Sequence, residues 1–144
     1  MSLKQRLNDI RNLQTAVTAC NKEKGHAQVA LSYTLGDAYT LDYWMDMAKR
    51  VEDMGADSLC IKDMAGLLVP AKATELVQAL KDSTSLPVEL HTHYTSGVAS
   101  MTYISASILS SSGSRRSAGR HVMAFFLSSP RTLSTTSGLK GLTV

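Results

Sequence analysis

The stretch "ADSLCIKDMAGLLVP", residues 56–70, carries an apolar run (Leu59, Cys60, Ile61) straight into Lys62 and Asp63. A glycine follows at 66 and a proline at 70. The run reads as a strand over about 58–62 that ends in charge. Pro70 suits the first turn of a helix, where its missing N–H costs nothing, and the helix shows an apolar face of Ala73, Leu76, Val77 and Leu80. Downstream, "LPVELHTHYTSGVASMTY", residues 86–103, repeats the device: Pro87 opens a strand over 88–93, and that strand ends in His91 and His93.

Working back toward the N-terminus, Ile10, Leu13, Val17 and Cys20 fall at helical spacing between Asp9 and Lys24, and Gly25 is placed as the helix stop. "AQVALSY", residues 27–33, alternates as a strand. Thr40 is an N-cap candidate, with Asp42 near the positive end of the helix dipole. The helix it opens, Leu41–Met54, is expected to bury Leu41, Trp44, Met45, Ala48 and Val51, and Gly55 ends it. Strand centres near residues 30, 60 and 90 leave room for one loop and one helix per unit. Strands alternating with helices predict an α/β fold with a parallel sheet and right-handed crossovers. Functional groups in such sheets gather at the carboxyl ends of strands, where Lys62, His91 and His93 lie.

Successive strand residues point to opposite faces, so His91 and His93 share one face with Thr92 opposite. Two imidazoles so placed suit a divalent transition metal, although an H-x-H pair alone is weak evidence. Lys62 admits two readings. Its ammonium pairs with Asp63 or another carboxylate, or burial beside a cation deprotonates it and it takes up carbon dioxide as a carbamate.

The totals set the class. The 144 residues are 44% hydrophobic and hold no run long enough for a membrane span. The N-terminus "MSLKQRLNDIRN" lacks the apolar core of a signal peptide, so the expected location is cytoplasmic. Cys20 and Cys60 sit in apolar patterns and are expected as buried free thiols rather than a disulfide. The net charge of +3 is unevenly distributed. Residues 1–103 hold ten Lys and Arg against twelve Asp and Glu, while residues 104–144 hold five basic residues and no acid. The basic pI therefore does not argue for nucleic-acid binding by the folded part. Residues 104–144 also hold eleven serines, against seven in the first 103, and show no sustained periodicity. "VMAFFL" is either a short strand or a chance apolar run.

The two opening stretches, with "RLNDIRNLQTAV" and "SYTLGDAYTLDYWMDMAKRVEDMGADS", closely resemble the carboxyltransferase domain of biotin-dependent enzymes: pyruvate carboxylase and its separate B subunit, the oxaloacetate decarboxylase alpha chain, and transcarboxylase. The resemblance covers about residues 5–103. It implies part of a TIM (β/α)8 barrel, about three parallel βα units. It also implies a divalent metal (zinc, manganese or cobalt) held by a carbamylated Lys62, by His91 and by His93. An aspartate from near the start of the domain is a further ligand in that family. Carboxyl transfer or decarboxylation on pyruvate or oxaloacetate is the implied activity, with biotin brought by a carrier domain or protein and charged by a biotin carboxylase. The related aldol-type lyases and synthases, the 3-hydroxy-3-methylglutaryl-CoA lyase group, share the barrel and the H-x-H strand but typically lack this lysine. Tyr94 is given no role, and no catalytic residue is assigned.

A barrel of this kind takes about 250 residues. The opening strands, the aspartate ligand and the later proton-shuttling threonine are not found in the sequence. Residues 1–103 are therefore expected as a partial barrel. Residues 104–144 are expected as a tail unlike the family, disordered or the product of a reading-frame shift. The chain alone is expected to be inactive, the alternative being a non-catalytic remnant or interaction module.

Overall fold

The structure, a computed structural model, describes residues 2–5, 9–112 and 122–127. Five strands run β1 Ser2–Gln5, β2 Gln28–Ser32, β3 Ser58–Asp63, β4 Val88–His93 and β5 Val122–Leu127. They lie side by side in chain order, and every neighbouring pair is parallel. The connections are the helices α1 Gln14–Lys22, α2 Leu41–Asp53, α3 Pro70–Ser83 and α4 Ala99–Ser112. Sequential order with a helix in each crossover is the winding of a TIM barrel, in which right-handed crossovers lay the helices on one face of the sheet.

That face is the core. Val29, Leu31, Leu59, Ile61, Val88 and Leu90 pack there against Val17, Trp44, Ala48, Val51, Leu76, Val77 and Leu80. The alternate residues point to the opposite, concave face, and the pleat alone makes this division. β4 shows it directly: Val88, Leu90 and Thr92 are buried, while Glu89, His91 and His93 are half-buried.

The helices follow from local chemistry. Thr40 caps α2 by accepting the Tyr43 N–H at 3.3 Å. Pro70 begins α3 as expected. Two details of the helices differ from the sequence reading. In α2 the buried stripe is Trp44, Met47, Ala48 and Val51; Leu41 is exposed and Met45 only half-buried. Trp44 stacks on Tyr33, ring centroids 5.5 Å apart. In the first helix, regular α structure starts at Gln14 rather than at Asp9. Asp9 there accepts from both the backbone and the guanidinium of Arg11, and Ile10–Asn12 form a 3-10 turn. Such local side-chain bonds compete with the helix ladder. The left-handed residue past the helix end is Lys24, at φ +55, not Gly25.

The boundary expected at residue 103 falls inside α4, which runs on to Ser112. Over residues 99–107 its buried stripe is Ala99, Thr102, Tyr103 and Ala106, two of them polar-bearing and two small, which hides a helical pattern from a reading of hydrophobicity. "VMAFFL" resolves as a strand, paired with β4 from Val88↔Val122 to His93↔Leu127. β1, a four-residue segment of Ser, Leu, Lys and Gln, carries too little alternation to be read as a strand. The remaining tail, 113–121 and 128–144, lies outside the described residues. Cys20 and Cys60 are buried free thiols. No helix among the described residues is long and apolar enough to cross a membrane.

Tyr103, 3% exposed, accepts the Thr92 backbone N–H at 3.0 Å and so ties α4 to β4. Burial pushes its phenol above the ordinary value of 10.0; the Thr92 bond works against that shift. The unfolded chain therefore ionises first as pH rises. The stability contributed by the protonated phenol is complete below about pH 10 and is lost as pH climbs through the raised folded value. Tyr103→Phe is expected to cost about 1 kcal/mol near neutrality through the lost acceptor. It should also flatten the alkaline fall in stability, as read by urea unfolding on either side of about pH 10.

Candidate functional site

At the end of β3 the Lys62 and Asp63 side chains serve opposite faces. Asp63, fully buried, points to the helix side. Its Oδ1 accepts the Leu67 N–H at 2.9 Å, and its Oδ2 accepts the Leu68 N–H and the Thr92 hydroxyl, each at 2.9 Å. The carboxylate thus closes the loop after β3 and grips the neighbouring strand. Lys62 points to the concave face, 9% exposed, and is the register partner of His91. Ser32 of β2 flanks Lys62 on its other side, in register.

On β4 the pleat sends His91 and His93 to the same concave face. Their ring centroids are 5.3 Å apart, with planes at 60°. Nε2 of His93 is buried and makes no hydrogen bond among the described residues. A buried, unsatisfied ring nitrogen is costly in a fold and suits an atom reserved for a ligand. The strand order therefore brings together the three residues singled out in the sequence.

Below them, the same face holds a polar layer absent from the sequence reading. Glu89 accepts from Gln28 Nε2 at 2.7 Å and stands in register with Cys60. Its signal was the i, i+2 spacing from His91, but a lone glutamate in a strand carries no pattern of its own. Among the described residues no three His, Cys, Asp or Glu side chains gather into a ligand set by themselves. A metal at this place would draw two neutral nitrogens from His91 and His93, and would need Lys62 altered to supply an anionic oxygen. That donor set fits a borderline divalent ion.

The loops beyond the strand ends are locked into each other. Gly66, at φ +67, lies so close to the turn after β4 that an added Cβ would stand 3.1 Å from His93 O, Ser96 N and Ser96 Oγ. The Thr102 hydroxyl of α4 donates to Leu68 O at 2.9 Å. The glycine of "KDMAG" is thus required twice, by its backbone angle and by the closeness of the turn that follows His93.

Parallel strands in sequential order, with ionisable side chains at their carboxyl ends, place the protein among the TIM-barrel α/β proteins. The chain belongs to the HMGL-like family, which matches it over residues 1–108. It is 49% identical over 98 residues to the pyruvate carboxylase B subunit of Methanocaldococcus jannaschii, covering 68% of this chain and 17% of that protein. It is 37% identical over 102 residues to the methylmalonyl-CoA carboxyltransferase 5S subunit of Propionibacterium freudenreichii subsp. shermanii, covering 69% of this chain and 20% of that one. Among solved structures, the carboxyl transferase domain of Rhizobium etli pyruvate carboxylase with pyruvate and biocytin superposes with a TM-score of 0.70 at 37% identity, over 73% of this chain and 19% of that one. The chain thus spans a fifth or less of the length of these relatives.

Gly66→Ala is expected to destabilise the chain by about 1–3 kcal/mol, since alanine is strained at positive φ and the contacted atoms are largely backbone. Backbone resonances of His93–Ser96 should shift more than those of β2, as read in amide spectra of the two forms.

Proposed function

We propose that this chain is a segment of a metal-dependent, biotin-dependent carboxyltransferase that acts on pyruvate or oxaloacetate. The reading is carried by one observation: Lys62 and His91 are register partners on the concave face, beside His93, whose buried Nε2 makes no hydrogen bond among the described residues. The relatives named above, two carboxylases and a carboxyltransferase, support the same class.

In this reading His91 and His93 hold a divalent ion through ring nitrogens. The Lys62 amine adds to carbon dioxide, releases a proton and presents the resulting carbamate as the anionic ligand. The ion, zinc, manganese or cobalt, supplies Lewis-acid polarisation of the keto-acid carbonyl. Lys62 suits its part because it is buried, 9% exposed, on the same face as the two histidines, and its four-carbon stem gives the amine reach. Asp63, turned to the other face, leaves the ligand role to Lys62. Biotin reaches the site on a carrier domain or protein, which a biotin carboxylase charges. The proton shuttle to biotin is assigned to no residue of this chain, so metal binding without turnover is the expected behaviour of the chain by itself.

Calorimetric titration with Zn²⁺ or Mn²⁺ in bicarbonate buffer tests the ligand set. Removing residues that merely orient a ligand commonly costs 10–100-fold in affinity, so the His91→Ala, His93→Ala double variant should lose at least about 100-fold. Labelled bicarbonate should give a carbamate carbon signal that is missing from Lys62→Ala. Metal affinity unchanged in the double variant sinks the proposal. Oxaloacetate turnover with free biotin that vanishes in the double variant would show that the chain carries a complete catalytic site. Absence of both metal binding and turnover returns the chain to a non-catalytic remnant or interaction module.

A further inference from the structure

We propose that Asp63 and Thr92 form a clasp on the back of the sheet that sets the position of Lys62 relative to His91 and His93. They are positioning residues: neither faces the concave site. The inference rests on the metal-site reading only for one of its two readouts.

The geometry is as follows. Thr92 lies between His91 and His93 and points the other way. Asp63 follows Lys62 and also points the other way. The two are register partners, and Thr92 Oγ1 donates to Asp63 Oδ2 at 2.9 Å. Asp63 is wholly buried and Thr92 2% exposed, so water does not compete for this bond. The carboxylate cannot swing, because the backbone N–H groups of Leu67 and Leu68 hold its two oxygens. Any rotation of the end of β4 that carries the imidazoles away from Lys62 must first pull Thr92 off Asp63. A slip along the strand must do the same. Backbone pairing fixes the strands' separation. The clasp acts at Asp63↔Thr92, the last register pair of β3 with β4, while β5 pairs with β4 on to His93. Tyr103, which accepts the Thr92 N–H, holds the same residue from α4. Two elements thus hold Thr92 from behind while its neighbours face the site.

The test compares Thr92→Val, which keeps shape and branching but removes the hydroxyl, with Thr92→Ser, which restores it. The first readout needs no metal: imidazole resonances of His91 and His93, with amide exchange of β2 and β3 as a control for folding. In Thr92→Val the imidazole signals should broaden or split while β2 and β3 stay protected, and Thr92→Ser should return a single sharp set. The second readout is Zn²⁺ affinity in bicarbonate, expected to fall about 10-fold or more in Thr92→Val, the effect typical of removing a ligand-orienting bond, and to recover in Thr92→Ser. Imidazole signals in Thr92→Val identical to those of the unaltered protein overturn the clasp, as does a failure of Thr92→Ser to restore them. If the unaltered protein binds no Zn²⁺, the metal-site reading fails, and the imidazole comparison alone decides the clasp. Should Thr92→Val not fold, Asp63→Asn keeps the shape of the side chain and replaces one acceptor oxygen with a donor. It should give the same broadening with β2 and β3 protected, and sharp signals there overturn the proposal.

Discussion

The pairing of β3 with β4 in the register Lys62↔His91 is the constraint on which the rest depends. A one-residue slip in a parallel sheet exchanges the faces of a whole strand. It would bury His91 and His93 among the leucines of the helix side and turn Val88 and Leu90 toward the concave side. The apolar core enforces the parity of the register: Leu59, Ile61, Val88 and Leu90 share the helix side only when the strands are not slipped by an odd number of residues. The site therefore inherits its geometry from hydrophobic packing on the opposite face. The polar groups follow from that packing and add the closing detail through Asp63 and Thr92.

The strand ends illustrate how one short motif serves two purposes. In "KDMAG" the lysine supplies the front of the sheet and the aspartate the back. The glycine lets the loop lie against the turn beyond His93. The loop after β3 and the turn after β4 thereby form one body, with Thr102 of α4 bonded to Leu68 O as a further tie. Groups held by strands and braced loops lose little entropy on meeting a ligand.

Much of this was legible in the sequence. Alternation and helical spacing located β2, β3, β4, α2 and α3, because each buries one strongly apolar stripe and is bounded by Thr40, Gly55, Pro70 or Pro87. The shared face of His91 and His93 followed from the two-residue period of any strand. The extension of α4 was hard to read, because the residues described as buried in its first half are Ala99, Thr102, Tyr103 and Ala106, small or polar-bearing side chains that give a weak apolar stripe. The late start of α1 was hidden too, since Asp9 prefers the nearby Arg11 to a helix ladder, a choice that periodicity does not reveal.

By itself the sequence determined the period of each element, the ends of the strands and the residue types gathered there, because those properties depend on neighbours within about one turn or one pleat. Only the tertiary structure decided what Asp63 does. A Lys-Asp pair in sequence reads equally as an ion pair. The fold separates the two onto opposite faces and gives the carboxylate to Leu67, Leu68 and Thr92. It also decided that Gln28 meets Glu89 and that Gly66 lies under the turn after His93. Those contacts join residues about 30 to 60 positions apart, and no local pattern encodes them; they exist because a parallel sheet with helical crossovers sets distant strand ends side by side.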